Sequence, residues 1–256
     1  MSVSTPAGRL DGQTVLVTGG NRGIGLGLAC GVAAAGADVV IWGRDEAANA
    51  AAAQRLRQYG RIAEAIACDV AQSSSVKEAF DRSTAVTGKI DAVFASAGVS
   101  SAYAPFHQQA DDEWHRVMQI NLYGVVLTLR AAIRHMLDRG DGGALIGVAS
   151  MAAKVGMRNY SPYSASKGAV VALMQTLAVE YARMGIRANA LLPGWVETDL
   201  TAAATPRLRE QVMRRTPVAR FGTPADFGSV AVFLADPSQT FHTGDVVLLD
   251  GGYLKV

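Results

Sequence analysis

Seven short runs of apolar and β-branched residues, separated mostly by longer stretches of helical periodicity, constrain this chain more than any other feature. The runs are Gln13–Thr18, Ala37–Trp42, Ile62–Cys68, Ile90–Ser96, Ala144–Ala149, Arg187–Leu192 and Asp245–Leu249. They are nearly continuous in apolar residues rather than alternating, the pattern of strands covered on both faces. Helical patterns fall at Ile24–Ala35, Asp45–Tyr59, Ser74–Thr87, Asp112–Arg139, Tyr163–Met184 and Ala225–Ala235. Strand-then-helix alternation of this kind predicts an α/β fold with a doubly wound, seven-stranded parallel sheet. The length of 256 residues suits one such domain, running from residue 10 to residue 256 behind a flexible Met1–Arg9. One stretch breaks the spacing. Pro193–Thr223 holds a single short helical pattern, around Pro206–Arg215, and a segment that long inside a compact domain is usually functional. It is expected to be a lid.

Composition removes several classes of function. The formal net charge is +2, with no basic stripe of the kind that tracks nucleic acid. Arg207, Arg209, Arg214 and Arg215, interrupted by Glu210, read as a solvated helix face. Cys30 and Cys68 lack the spacing of a redox pair or zinc site, and the four histidines have no ligand spacing, so no metal is expected. Met1–Arg9 lacks the apolar core of a signal peptide, and no apolar run is long enough to cross a bilayer. A cytoplasmic protein with no membrane partner is the expectation.

The first run leads straight into Thr18-Gly19-Gly20-Asn21-Arg22-Gly23-Ile24-Gly25. Glycines at a strand-to-helix turn let the backbone curve tightly and let a pyrophosphate approach. The helix then offers free N–H groups and the positive end of its dipole. Farther on, Tyr163 and Lys167 stand four residues apart on one predicted helix and therefore share a face. A free phenol has a pKa near 10, and a neighbouring ammonium lowers it, which makes a proton donor and acceptor usable near neutrality. Tyr160 is a decoy, since its fourth residue on is Ser164. Ser150 ends the fifth run, thirteen residues before Tyr163, where ligands bind on such sheets.

The glycine spacing Thr-Gly-x-x-x-Gly-x-Gly, with Ser150, Tyr163 and Lys167 in this order, resembles the short-chain dehydrogenase/reductase family, and the likeness runs from Leu10 onward. It implies a Rossmann-like domain and an NAD(P)-dependent oxidoreductase that moves hydride between a nicotinamide cofactor and a ketone or secondary alcohol. Ser150 would hydrogen-bond the substrate oxygen, Tyr163 would exchange the proton, and Lys167 would lower the tyrosine pKa and hold the nicotinamide ribose. Asn121, in Ile120-Asn121-Leu122-Tyr123-Gly124, matches the asparagine of a water-mediated proton relay; its alternative is a structural hydrogen bond. In the glycine loop, Gly19, Asn21, Arg22, Gly23, Ile24 and Gly25 would meet the cofactor, as would Asp69 and Val70 at the adenine. Pro193, Val196 and Thr198 match the stretch that meets the nicotinamide carboxamide.

After the fourth run the family usually shows Asn-Asn-Ala-Gly, whereas this chain has Ala95-Ser96-Ala97-Gly98. Backbone contacts of Ala95, Ala97 and Gly98 to a cofactor survive that change; the strand-bracing asparagine side chains do not. Arg44 follows the second run, where an NAD-preferring site usually carries an acid. With Arg22 it predicts preference for NADP(H) over NAD(H), the alternative being that Arg44 pairs with Asp45 or Glu46 while Asp45 holds the ribose of NAD. Ala102–Phe106, Met151–Tyr160 and Trp195–Ala204 are expected to line the substrate pocket. The resemblance also implies a homotetramer through Asp112–Arg139, Tyr163–Met184 and the C-terminal strand. Val170, Val171, Leu173, Met174, Leu177 and Ala178 supply more apolar surface than one helix face needs. Two other readings stand beside a ketone reductase: a 3-oxoacyl carrier-protein reductase, and a catalytically silent cofactor-binding regulator.

Overall fold

The computed structural model describes residues 10–256. The expectation for Met1–Arg9 lies outside the described residues. The apolar runs form strands β1 (Thr14–Thr18), β2 (Asp38–Gly43), β3 (Ala63–Ala67), β4 (Ala92–Ala95), β5 (Gly143–Val148), β6 (Ile186–Pro193) and β7 (Val246–Leu249). They make one parallel sheet in the order β3-β2-β1-β4-β5-β6-β7. The helices are α1 (Gly23–Ala34), α2 (Glu46–Arg57), α3 (Ser73–Thr87), α4 (Asp111–Met118), α5 (Gly124–Arg139), α6 (Ser161–Tyr181), α7 (Pro206–Arg215) and α8 (Gly228–Ala235).

Side chains of a strand alternate between faces, so β1 serves two cores at once. Val15 and Val17 pack with Leu28 and Val32 of α1, Leu56 of α2 and Leu234 of α8. Leu16 belongs to the opposite layer, with Phe80 of α3, Leu129 and Met136 of α5, and Val170 and Met174 of α6. Burying each such aliphatic side chain contributes roughly 1.5–3 kcal/mol. Because β1 is covered on both sides, all five of its residues are buried, the two threonines Thr14 and Thr18 included. Strand order reverses between β1 and β4, and a crevice opens at their carboxyl ends.

Two features differ from the sequence expectation. Asp112–Arg139 is not one helix. A five-residue π turn, Gln119–Tyr123, separates α4 from α5. The extra residue in that turn rotates Asn121 inward, where it is fully buried. At the other end of the sheet β6 carries a buried charge, Arg187. Its guanidinium donates to the carbonyls of Leu234 (2.9 Å) and Asp236 (3.1 Å), satisfying the open C-terminal end of α8, and to His242 (3.3 Å). Among the described residues no helix is long and apolar enough to cross a membrane.

Candidate active site

A cleft of about 520 Å³ runs along the carboxyl ends of the strands, from the glycine loop to the segment after β6. The structure brings most of the expected residues to it: Gly19, Asn21, Arg22, Gly23, Ile24, Gly25, Arg44, Asp69, Val70, Ala97, Gly98, Ser150, Tyr163, Lys167, Pro193, Val196 and Thr198. Two are not on its wall. Ala95 ends β4 inside the sheet, paired in register with Thr18, and Ser96 takes its place at the surface of the cleft. Asn121 lies behind the wall, where its Oδ1 accepts from the Val99 amide (2.8 Å) and its Nδ2 donates to the Val99 carbonyl (2.9 Å) and Ser166 Oγ (3.2 Å). Among the described residues no His, Cys, Asp and Glu cluster is placed to hold a metal.

The glycine loop is a cradle because side chains do not fit there. A Cβ at Gly25 would lie 2.2 Å from the Gly19 carbonyl, and one at Gly19, which has a φ of 64°, would lie 2.9 Å from Ala97 Cα. The first turn of α1 has no side-chain cap and no acidic residue, so its N–H groups face the cleft's end uncompensated. That set fits a pyrophosphate. Asn21 contributes differently: its amide donates to Asn49 Oδ1 (2.8 Å), and Asn49 donates to the Gly43 carbonyl (2.9 Å), which ties the loop to β2 and α2. Thr18 Oγ1 accepts from the amides of Ser96 and Ala97, each at 3.0 Å. One threonine hydroxyl thus braces β1 against β4 in this Ala95-Ser96 chain.

At the floor, Ser150 Oγ accepts from the Ala152 amide (3.1 Å), and its hydroxyl acts on the Tyr163 phenol. Lys167 Nζ sits 5.8 Å from the Tyr163 ring centre and donates to the Val148 carbonyl (2.9 Å). Burial drives both proton affinities, in opposite senses. The Tyr163 phenol is pushed up by burial, with the Ser150 hydrogen bond acting the other way. The Lys167 ammonium is brought down to about 8 by burial. Burial is the larger influence on both groups, and the lysine nitrogen is turned to the Val148 carbonyl. A Cβ at Gly98 would lie 3.2 Å from Asn121 Oδ1 and 3.3 Å from Lys167 Nζ. Gly98 thus leaves a narrow gap between the asparagine and the lysine.

The arginine pairing also differs. Asp45 is held not by Arg44 but by Arg22, at 2.9 Å, and Arg22 reaches Asp199 of the segment after β6 at 3.5 Å. Asp45 caps α2 through the Ala48 amide (3.0 Å), and that bond and Arg22 keep its carboxyl below the usual range. The Ala102–Phe106 segment does not line the cleft; Val99 and Ser100 do, while Tyr103 and Phe106 stand exposed at the rim, Tyr103 edge-on to Tyr160 at 5.4 Å. Sequence reasoning missed Cys68 and Ile120 as wall residues. Ile120 lies within the π turn, which no periodicity announces. Cys68 reads as core, and burial pushes its thiol up to about 11, so it stays protonated.

Comparison with known proteins agrees with this geometry. A family model described as enoyl-(acyl carrier protein) reductase matches residues 19–254. A 3-oxoacyl-[acyl-carrier-protein] reductase of Chlamydia pneumoniae is 35% identical over 243 residues, 95% of this chain and 97% of that protein. The cis-4-hydroxycyclohexanecarboxylate dehydrogenase of Sinomonas cyclohexanicum is 37% identical over 244 residues, again 95% and 97% of the two chains. A gluconate 5-dehydrogenase from Burkholderia cenocepacia, solved with NADP and tartrate, superposes with a TM-score of 0.92 at 38% identity, covering 98% of each chain. With its glycine cradle, its Ser150–Tyr163–Lys167 floor and these relatives, the chain belongs to the short-chain dehydrogenase/reductase family.

Proposed function

We propose that this protein is an NAD(P)-dependent oxidoreductase acting on a ketone or secondary alcohol. The observation that carries the reading is the Ser150–Tyr163 hydroxyl pair, set beside buried Lys167 in the same cleft that opens at the glycine cradle. The nicotinamide cofactor, when bound, supplies or accepts the hydride. The chain's own residues do the rest. Ser150 positions the substrate oxygen, and Tyr163 donates its phenolic proton to that oxygen in reduction or takes it in oxidation. Lys167 holds the floor and the sugar of the cofactor, and Asn121 fixes the Val99 backbone beside it. Main-chain groups of Gly98 and Val196, with Thr198, flank the nicotinamide end.

NADP(H) is proposed as the preferred form, because Arg22 and Arg44 both line the cleft beyond β2. The Arg22–Asp45 pair is half exposed, and such a pair is weak enough for a phosphate to replace. The assembly is proposed to be a homotetramer and Pro193–Thr223 a lid. A second reading, reduction of a 3-oxoacyl thioester, draws on the likeness to the Chlamydia enzyme. The deciding experiment is kcat/KM for NADPH and NADH with ketone and acyl-thioester substrates. A preference for NADPH of about ten- to hundredfold is expected, reduced or inverted in Arg44→Asp. Wild-type preference for NADH, or a ratio unmoved by the substitution, overturns the cofactor assignment. Thioester turnover well above that of every ketone favours the second reading.

A further inference from the structure

Charge is unevenly distributed along the cleft. Arg22, Arg44, Asp45 and Asp69 belong to the loops after β1, β2 and β3, and Asp199 is drawn toward Arg22. Lys167 is bonded to a carbonyl beneath the floor. The lining drawn from residues 99–100, 151–160 and 194–201 includes Val99, Met151, Met157, Tyr160, Trp195 and Leu200, and its one charged side chain is Asp199, the partner of Arg22. Ionic groups nearby are turned away or already matched. Lys154 and Arg158 are exposed and do not line the cleft. Glu113 accepts from the Ala102 amide (2.5 Å) and pairs with Arg116 (2.8 Å), which donates in turn to the Ser100 carbonyl (2.9 Å).

The Met157–Tyr160 part of this lining is braced from behind before any substrate arrives. The Ala104 amide donates to the Asn159 carbonyl (3.3 Å), and Gln109 Nε2 donates to the Ala104 carbonyl (2.9 Å). Tyr103 packs edge-on to Tyr160, and Phe106 edge-on to Trp114 at 6.1 Å. Apolar surface thus continues from Tyr160 to Tyr103, which is 65% exposed, and Leu200 in the cleft lining is exposed as well. A preorganised apolar wall favours a ligand that brings apolar area to it.

We infer that the substrate is an uncharged ketone or secondary alcohol carried on an apolar ring or alkyl body, gripped by the Met157–Tyr160–Leu200 wall and not by an ion pair. The inference rests on the oxidoreductase reading above. Each methylene laid on such a wall is expected to raise kcat/KM about fourfold. A carboxylate on the same body enters without a counter-charge and is expected to lower kcat/KM at least about tenfold.

The test uses cyclohexanones bearing a 4-alkyl chain, paired with analogues of equal length that end in a carboxylate. Initial rates are measured with saturating NADPH, and thermal shifts with saturating NADP. Expected are a rising alkyl series, carboxylates at least about tenfold poorer, and a shift of that ratio toward the carboxylate by about tenfold in Met157→Lys. Leu200→Lys, at an exposed position, repeats the test if the first variant does not fold. Carboxylates equal to or better than alkyl ketones in the wild type overturn the inference, as does an unchanged ratio in folded lysine variants. If neither series is turned over but the alkyl ketones alone raise Tm, the hydride-transfer reading falls and the wall assignment stands. No thermal shift from the alkyl ketones at millimolar concentration overturns the wall assignment.

Discussion

Burial of Lys167 and the hydroxyl of Tyr163 each have a consequence that can be measured. Lys167, 4% exposed, is brought by burial to about 8 when folded, from 10.5 when unfolded. Below about 8 the lysine is protonated in both states. Between about 8 and 10.5 the native lysine is neutral while the unfolded one keeps its proton, so the unfolded state binds more protons and stability rises with pH. Urea unfolding at pH 7.5 and pH 10 is therefore expected to show the wild type gaining on Lys167→Met, by at most about 3 kcal/mol. Parallel pH dependence of the two proteins would mean that the lysine is not desolvated. Tyr163→Phe removes only the hydroxyl bonded to Ser150. Its kcat is expected to fall about 10²–10⁴-fold, with the Kd for NADP within about twofold of wild type. Retention of a tenth of wild-type kcat contradicts the acid–base role.

Among the elements, α1 is the one whose sequence is most tightly tied to its neighbours. A Cβ at Gly31 would sit 2.3 Å from Gly228 Cα and 2.6 Å from the Gly228 carbonyl, so α1 and α8 touch backbone to backbone. Gly31→Ala is expected to destabilise by about 1–3 kcal/mol, because the obstructing atoms are main chain and cannot rotate aside. An unchanged urea midpoint would show that the two helices separate freely. The segment after β6 behaves as an element of its own. Its ends are zipped by Gly222 N to the Trp195 carbonyl (2.8 Å) and Glu197 N to the Gly222 carbonyl (2.9 Å). Between them α7 is capped by Thr205 and joined to Glu197 through Arg209. Its tie to the glycine loop is the exposed Arg22–Asp199 pair at 3.5 Å, a weak contact. Hydrogen exchange over residues 198–215 is expected to be fast in the free protein and slowed by cofactor plus substrate. Slow exchange that ligands leave unchanged argues against a lid.

For the whole molecule, the surface left uncovered by one chain is the guide. Val179 on α6 is 83% exposed and Phe241, just before the edge strand β7, is fully exposed. None of the four residues of β7 is buried, although all are Val or Leu. A sheet edge and helix faces of that composition are commonly covered by symmetry mates. Light scattering at micromolar concentration is expected to give a mass near four times the 26.8 kDa chain. A stable single-chain mass would overturn the tetramer.

The apolar runs, the glycine turn and the Tyr163–Lys167 spacing are local patterns, which is why the sequence by itself determined the seven parallel strands, the cradle and the identity of the floor residues. Arg22 meets Asp199 across 177 positions, and Thr18 braces Ala97 across 79, only because the sheet closes. The π turn at Gln119–Tyr123 escaped the pattern because one added residue barely disturbs helical periodicity yet turns Asn121 inward. The proton affinities of Tyr163 and Lys167 were likewise beyond the sequence. Four-residue spacing says that two side chains share a face, but the surrounding layers set how much water each retains, and burial is the first cause of both shifts.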